Sequence, residues 1–325
     1  MLSPYPWLES RLQQLLGVIA RGRLPHGLLV CGQPGVGKTA LARTLAALLL
    51  CERRAEGAAA CGACPGCQQF GAGSHPDFFM IAPEEGAQAI KVDQVRGLAE
   101  KLALSSHRAG YKVAIVAPAE AMNINASNSL LKTLEEPSDN TILMLISAQP
   151  ARLPATIRSR CQQVFIPPPD PAVAQTWLAG QLAGQDPQIY LQLAGGAPLE
   201  ALRLAEARVV EARQARFQAL LGVLEGRANP LAVAADWGQD ENLQAVKWMR
   251  DWLMDLIRIR LGGNAAGTIR SPDLAEGLNR LAGRFDNRQL YRQLDRINSL
   301  LRYNDGSLNR QLLAEDILLA WAAGQ

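Results

Sequence analysis

The chain has 325 residues, 48% of them hydrophobic and 19% charged, with a formal net charge of +3. That length holds two or three domains with real cores, and that balance excludes a disordered chain. So small a net charge excludes a broad nucleic-acid footprint, and any DNA contact is local or shared with partners.

The apolar run ALARTLAALLL (40–50) carries Arg43 and is too short to span a bilayer. The opening MLSPYPWLES has no basic segment followed by an apolar one, so no signal peptide is expected. The expected compartment is cytoplasmic. There, six cysteines argue for metal or unbridged thiols over disulfides.

Residues 1–166 mix helix and strand signals. HGLLVCG (26–32) is a short apolar strand ending in glycine, and KTALARTLAALLLC (38–51) has helical spacing. DFFMIAPE (77–84), YKVAIVAPAE (111–120) and TILMLISAQP (141–150) are further strands. DQVRGLAEKLAL (93–104) and ASNSLLKTLEEP (126–137) lie between them as helices. Such alternation predicts a parallel sheet covered on both faces. IPPPDP (166–171) can continue neither element and reads as a linker. After it the strand signal stops. Residues 177–207 suggest a small helical unit broken at AGGAP, and from about 208 onward come long helices such as 242–261 and 309–323.

GQPGVGKT (32–39) fits the phosphate-loop pattern, with a strand before it and a helix after it. Gly32, Gly35 and Gly37 permit a tight loop whose N–H groups face phosphate oxygens. Lys38 supplies a charge to the outer phosphates, and the Thr39 hydroxyl can reach a magnesium ion. Hydrolysis needs more: a carboxylate near the magnesium and a group that orients water. The strand that should carry it ends in Ala117 and Pro118. Glu120 stands just beyond, displaced by the proline, and Glu135 and Glu136 read as a solvated helix end. The pattern therefore predicts ATP/Mg2+ binding with little or no hydrolysis.

Cys51, Cys61, Cys64 and Cys67 are spaced C-x9-C-x2-C-x2-C. Two short steps wrap thiolates around one ion, with Gly62 and Gly66 allowing the turns, and the fourth ligand closes the loop from the preceding helix. Four thiolates and no histidine predict a closed structural Zn2+ site. Cys31 reads as a small core residue. His26, His75 and His107 are scattered without metal spacing, and Trp248 and Trp252 read as a helix-face core.

At LLKTLEEP (130–137) and LPATIRSRCQ (153–162) the chain resembles the AAA+ clamp-loader subunits of bacterial DNA polymerase III. YPWL (5–8), GSHPDFF (73–79) and LNRQLLAEDILLAW (308–321) extend that resemblance over essentially the whole chain. It implies an α/β RecA-like AAA+ domain over 1–166 with a zinc module at about 51–67, a small helical lid at 167–207, and an all-α collar at 208–325. It implies a hetero-pentamer with gamma or tau and delta subunits, which places the beta clamp on primer-template DNA. It further implies that Ser-Arg-Cys, here Ser159, Arg160 and Cys161, lends an arginine to a neighbouring ATP site.

The chain departs from the hydrolysing relatives at two places. They carry Asp-Glu where Ala117 and Pro118 stand, and a lid arginine where Leu199 stands, with Arg203 one turn on. Both departures resemble a non-hydrolysing branch of that family. Read from the residues alone, Arg158 and Arg160 serve equally as local helix caps or carboxylate partners. Two other functions remain open: an active ATPase with Glu120 or Glu136 as the acid, and a zinc-dependent DNA-binding protein. The second needs a basic stripe, but Arg53 and Arg54 face Glu52 and Glu56 in the same segment.

Overall fold

The computed structural model describes residues 5–53, 59–107, 110–240, 243–262, 269–302 and 309–323. Arg54 and Glu56 of the cysteine segment, and the ends of two quoted stretches at Asn242 and Leu308, lie outside them. The chain divides into two compact units, Met1–Trp177 with Ala197–Glu200 and Leu178–Gly196 with Ala201–Gln325.

The first unit opens with α1 (Glu9–Ala20), then β1 (Gly27–Cys31), α2 (Lys38–Leu49), α3 (Pro65–Gly71) and β2 (Phe78–Ile81). It continues with α4 (Val92–Ala103), β3 (Lys112–Val116), α5 (Ile124–Glu135), β4 (Thr141–Ser147), α6 (Ala155–Arg158) and β5 (Gln162–Phe165). The five strands run parallel in the order β2-β3-β4-β1-β5. Every residue of β1, β3 and β4 is buried. This is why those stretches read as continuous apolar runs: a parallel strand under helices has no wet face. Leu28 and Val30 pack with α1 and α2, while Leu29 packs with α4 and α5 on the other side. Lys112, the one cation within these central strands, is also buried. Its ammonium donates to the Leu102 and Leu104 carbonyls at 2.6 Å and to Ser138 Oγ at 2.7 Å.

The sequence pattern points to four strands in this sheet; the structure has a fifth. QQVF (162–165) buries only Val164, so it carries no apolar signal. It becomes a strand because β1 offers an unpaired edge, with Val30 opposite Val164. All five carboxyl ends lie on one side of a parallel sheet, and that is where such folds place their ligands.

Among the described residues the second unit contains helices and no strand. After β5 the chain forms α7 (Pro171–Ala179), α8 (Pro187–Leu193) and α9 (Pro198–Glu206), and the main helices of the second unit are α10 (Val209–Leu224), α11 (Pro230–Trp237), α12 (Gln244–Arg260), α13 (Ala275–Ala282), α14 (Asn287–Arg302) and α15 (Arg310–Ala323). Phe217, Trp237, Trp248, Trp252 and Trp321 lie in one core, with Phe217 edge-on to Trp252 at 5.1 Å. The tryptophans predicted as helix-face core are therefore core. No helix of the described residues is long and apolar enough to cross a membrane.

Candidate functional site

The phosphate loop leaves β1 at Cys31 and enters α2 at Lys38, with Thr39 the second residue of that helix. Gly35 has φ +78°, and a Cβ there would stand 2.5 Å from the backbone nitrogen of Glu200. Only glycine meets both demands. The loop is closed by its own chain. Leu199 donates its backbone N–H to the Gly35 carbonyl at 3.0 Å. The Trp7 indole donates to the Val36 carbonyl at 3.0 Å. Lys38 is buried, and its ammonium turns inward to donate to the Gln33 carbonyl at 2.7 Å. Burial pushes the Lys38 pKa down, and the Glu120 carboxylate works in the opposite direction.

Ala117 and Pro118 follow β3 at the carboxyl edge, so the structure offers no side-chain acid at those two positions. Glu120 lies in the short helical turn Ala119–Ala121, and its Oε1 accepts the Ala148 N–H beyond β4 at 2.9 Å. It therefore acts as a tie between two strand ends, within electrostatic reach of Lys38.

The cysteines come together. Cys51 follows α2, Cys64 caps α3 and Cys67 lies in its first turn. The sulfurs of Cys51, Cys61, Cys64 and Cys67 all lie within 4.8 Å of one another, and all six cysteines of the chain are unbridged. A tetrahedral zinc with sulfurs about 2.3 Å away needs sulfur–sulfur edges of about 3.8 Å. Cys51 and Cys64 are 4.0 Å apart, and Cys61 and Cys67 are 3.9 Å apart. Three backbone N–H groups point at sulfurs, among them Cys64 N–H to Cys61 at 3.3 Å and Cys67 N–H to Cys64 at 3.4 Å. Burial opposes the Cys64 thiolate, but the backbone N–H groups of Cys67 and Glu52, with the Cys67 and Cys61 thiols, bring its pKa down to about 6. Burial, and then the neighbouring thiols, push Cys67 up to about 12. Crowded thiolates repel one another, and a dication relieves that repulsion. The cluster can hold a metal ion such as zinc. Gly66 serves it by close approach, since a Cβ would meet the Leu50 carbonyl at 2.6 Å.

Arg160 stands between α6 and β5. Its Nη1 donates to the Thr156 carbonyl at 3.0 Å, and its Nη2 lies 2.6 Å from Glu135 Oε1. Ser159 Oγ donates to Thr156 at 3.1 Å, and Cys161 is buried. The tripeptide thus closes a helix, exposes a guanidinium and anchors in the core. The carboxylate partner foreseen for this arginine is present, and it comes from the helix end that reads as solvated. Sequence reasoning missed Glu135, because a carboxylate in a helix's last turn carries no pairing signal of its own. It also missed Trp7, whose only signal was its place in YPWL.

A family described as "DNA polymerase III, delta subunit" matches residues 7–170, and one described as "DNA polymerase III, delta subunit, C terminal" matches 208–323. The DNA polymerase III subunit delta prime of Pseudomonas aeruginosa is 38% identical over 99% of this chain and 98% of that one. Its Escherichia coli counterpart is 35% identical over 97% of this chain and 94% of that one. The E. coli subunit tau is also 35% identical, but over 49% of this chain and 24% of its own. The sheet order and the phosphate loop define a phosphate-loop α/β protein, and these matches make it a subunit of DNA polymerase III. Within that class the chain belongs to the delta prime family, since the likeness to those subunits covers 97–99% of the chain. It is an accessory subunit of the polymerase assembly.

Proposed function

We propose that this chain is the non-hydrolysing stator of its clamp loader. It joins gamma or tau and delta subunits in a hetero-pentamer, helps load the beta clamp onto primed DNA in the cytoplasm, and lends Arg160 to a neighbour's ATP site. One observation carries the trans role. Arg160 precedes β5, which runs parallel to β1 with Leu28 opposite Gln162. It therefore stands at the end of the sheet away from its own phosphate loop. Five residues of strand separate the two ends, about 15 Å of rise. An arginine there cannot serve the phosphate loop of its own chain.

The chemistry needs a cation that arrives from outside the binding subunit. Phosphoryl transfer spreads negative charge over the oxygens of the γ-phosphate, and arginine fingers are worth roughly 10³–10⁵ in rate. The guanidinium stays charged and offers a planar fork to those oxygens. In this chain's own phosphate loop, Gly32, Gly35, Gly37, Lys38 and Thr39 would hold ATP/Mg2+. The inward Lys38 and the ties to Trp7 and Leu199 make that loop a poor receptor. Cys51, Cys61, Cys64 and Cys67 hold one Zn2+, which fixes the module between α2 and α3. The division at 1–166, 167–207 and 208–325 belongs to the same reading.

A hydrolysing motor is the second reading: Glu120, in the turn beyond the carboxyl end of β3, would have to supply the missing acid. Against it, one Glu120 oxygen is already committed to Ala148. ATP turnover by the purified chain separates the two. The trans role is tested in complexes rebuilt with wild-type or Arg160→Ala chain at equal assembly. The variant should enter the complex, slow one site, and weaken DNA-stimulated ATPase and clamp loading in part. Unchanged rates would reduce Arg160 to a structural residue.

A further inference from the structure

Glu135 is the last residue of α5. A carboxylate at that end faces the negative pole of the helix dipole, a locally unfavourable position. The structure supplies the compensation from elsewhere in the chain: Glu135 Oε1 meets Arg160 Nη2 at 2.6 Å. The other terminal nitrogen is held by the Thr156 carbonyl at 3.0 Å. The guanidinium fork is therefore held from α5 and from α6, with a longer third contact from Nη1 to Ser159 Oγ at 3.5 Å. An arginine has five N–H donors, so these anchors leave others for a ligand. The side chain stays 36% exposed.

The backbone around the pair is built to hold it. A Cβ at Gly27 would stand 2.9 Å from Leu134 Cδ2 and 3.1 Å from the Arg160 carbonyl. The bare glycine lets the end of α5 and the turn before β5 close on one another. His26 Nε2 donates to the Leu134 carbonyl at 2.9 Å, tying that helix end to the start of β1. Cys161 shares a core with Leu134 and Ile157, so the residue after the arginine cannot drift. A flexible arginine loses rotamer freedom when it engages a phosphate, and a pre-set fork loses less.

We infer that Glu135 is the positioning residue for Arg160: it holds the fork in the orientation that meets a triphosphate on the adjoining subunit. The inference rests on the reading of Arg160 as a trans-acting arginine. An exposed pair of this kind contributes little to folding, so its loss reads in rate and not in stability.

The test uses the whole rebuilt complex, with ATPase measured over a range of ATP concentrations in the presence of beta clamp and primed DNA. Wild type is compared with Arg160→Ala, Glu135→Ala, Glu135→Gln and the Arg160→Ala/Glu135→Ala double variant. Glu135→Ala should assemble normally and leave KM for ATP unchanged, while slowing turnover about tenfold at the one site served by Arg160. Glu135→Gln keeps an oxygen acceptor and should recover part of that loss. The double variant should be no slower than Arg160→Ala. If Glu135→Ala alone is silent or faster, or if it slows the Arg160→Ala complex further, the positioning role is wrong while the trans arginine stands. If Arg160→Ala itself is silent, the reading beneath falls, and this inference falls with it.

Discussion

The Trp7 indole N–H donates to the Val36 carbonyl at 3.0 Å, so a residue that precedes α1 closes on the phosphate loop. Tyr5 stacks on Trp7 at 4.9 Å, and Trp177 stands edge-on to both, at 5.5 and 5.2 Å. Aromatic pairs in these geometries add to their burial. The N-terminal segment is thereby clamped over a loop that elsewhere faces nucleotide.

That clamp, with Lys38 turned onto Gln33, predicts that the isolated chain turns over ATP at background. Lys38→Ala should match wild type in a steady-state assay. A robust wild-type rate lost in Lys38→Ala would show a working site. Trp7→Ala should loosen the loop and strengthen binding of a fluorescent ATP analogue.

Gly35→Ala meets two obstacles at once, a positive φ and the backbone of Glu200 at 2.5 Å. The expected cost is about 1–3 kcal/mol. Residues 197–200 should lose amide-exchange protection before the sheet does. Unchanged protection would mean that the loop does not hold this segment.

The four-thiolate cluster predicts one zinc per chain in protein prepared without chelator, read by elemental analysis. Cys64→Ser should release the metal and loosen residues 59–71. The sheet should survive, because Cys51, Ala60, Cys64 and Phe70 belong only to the core on its α1 and α2 side, and the α4 and α5 side packs without them. Metal-free protein with an intact module would contradict the assignment.

Arg213 and Asp273 form an ion pair at 3.3 Å with side-chain exposures of 4% and 0%. Ser271 Oγ accepts a further Arg213 N–H at 2.8 Å. Removing one partner strands a buried charge, so Asp273→Ala should cost about 3–5 kcal/mol in urea unfolding. Arg213→Met/Asp273→Leu should cost less than that single change. Burial pushes the Asp273 pKa up, against the pull of Arg213. A raised carboxyl favours the protonated folded state. Its contribution is complete below the ordinary carboxylate range and fades as pH rises through the raised value. That component should vanish in Asp273→Asn, and an identical pH slope in both proteins would rule it out.

The sequence by itself determined whatever depends on local pattern. The phosphate loop is legible because its glycines and Lys38 follow one another. The metal cluster is legible because three of its cysteines recur at every third position, Cys61, Cys64 and Cys67. The central strands are legible because both their faces are buried, which leaves unbroken apolar runs. Tertiary structure decided the rest. QQVF becomes β5 through the edge that β1 offers, and not through any alternation of its own. Glu135 reads as a solvated helix end until Arg160 arrives 25 positions later in the chain. Lys38 reads as a phosphate ligand in any chain with this loop; here burial and the Gln33 carbonyl turn it inward. For β5 and for Glu135 the deciding partner is distant in sequence, and for Lys38 it is a backbone carbonyl five residues back; none of these contacts leaves a periodicity behind.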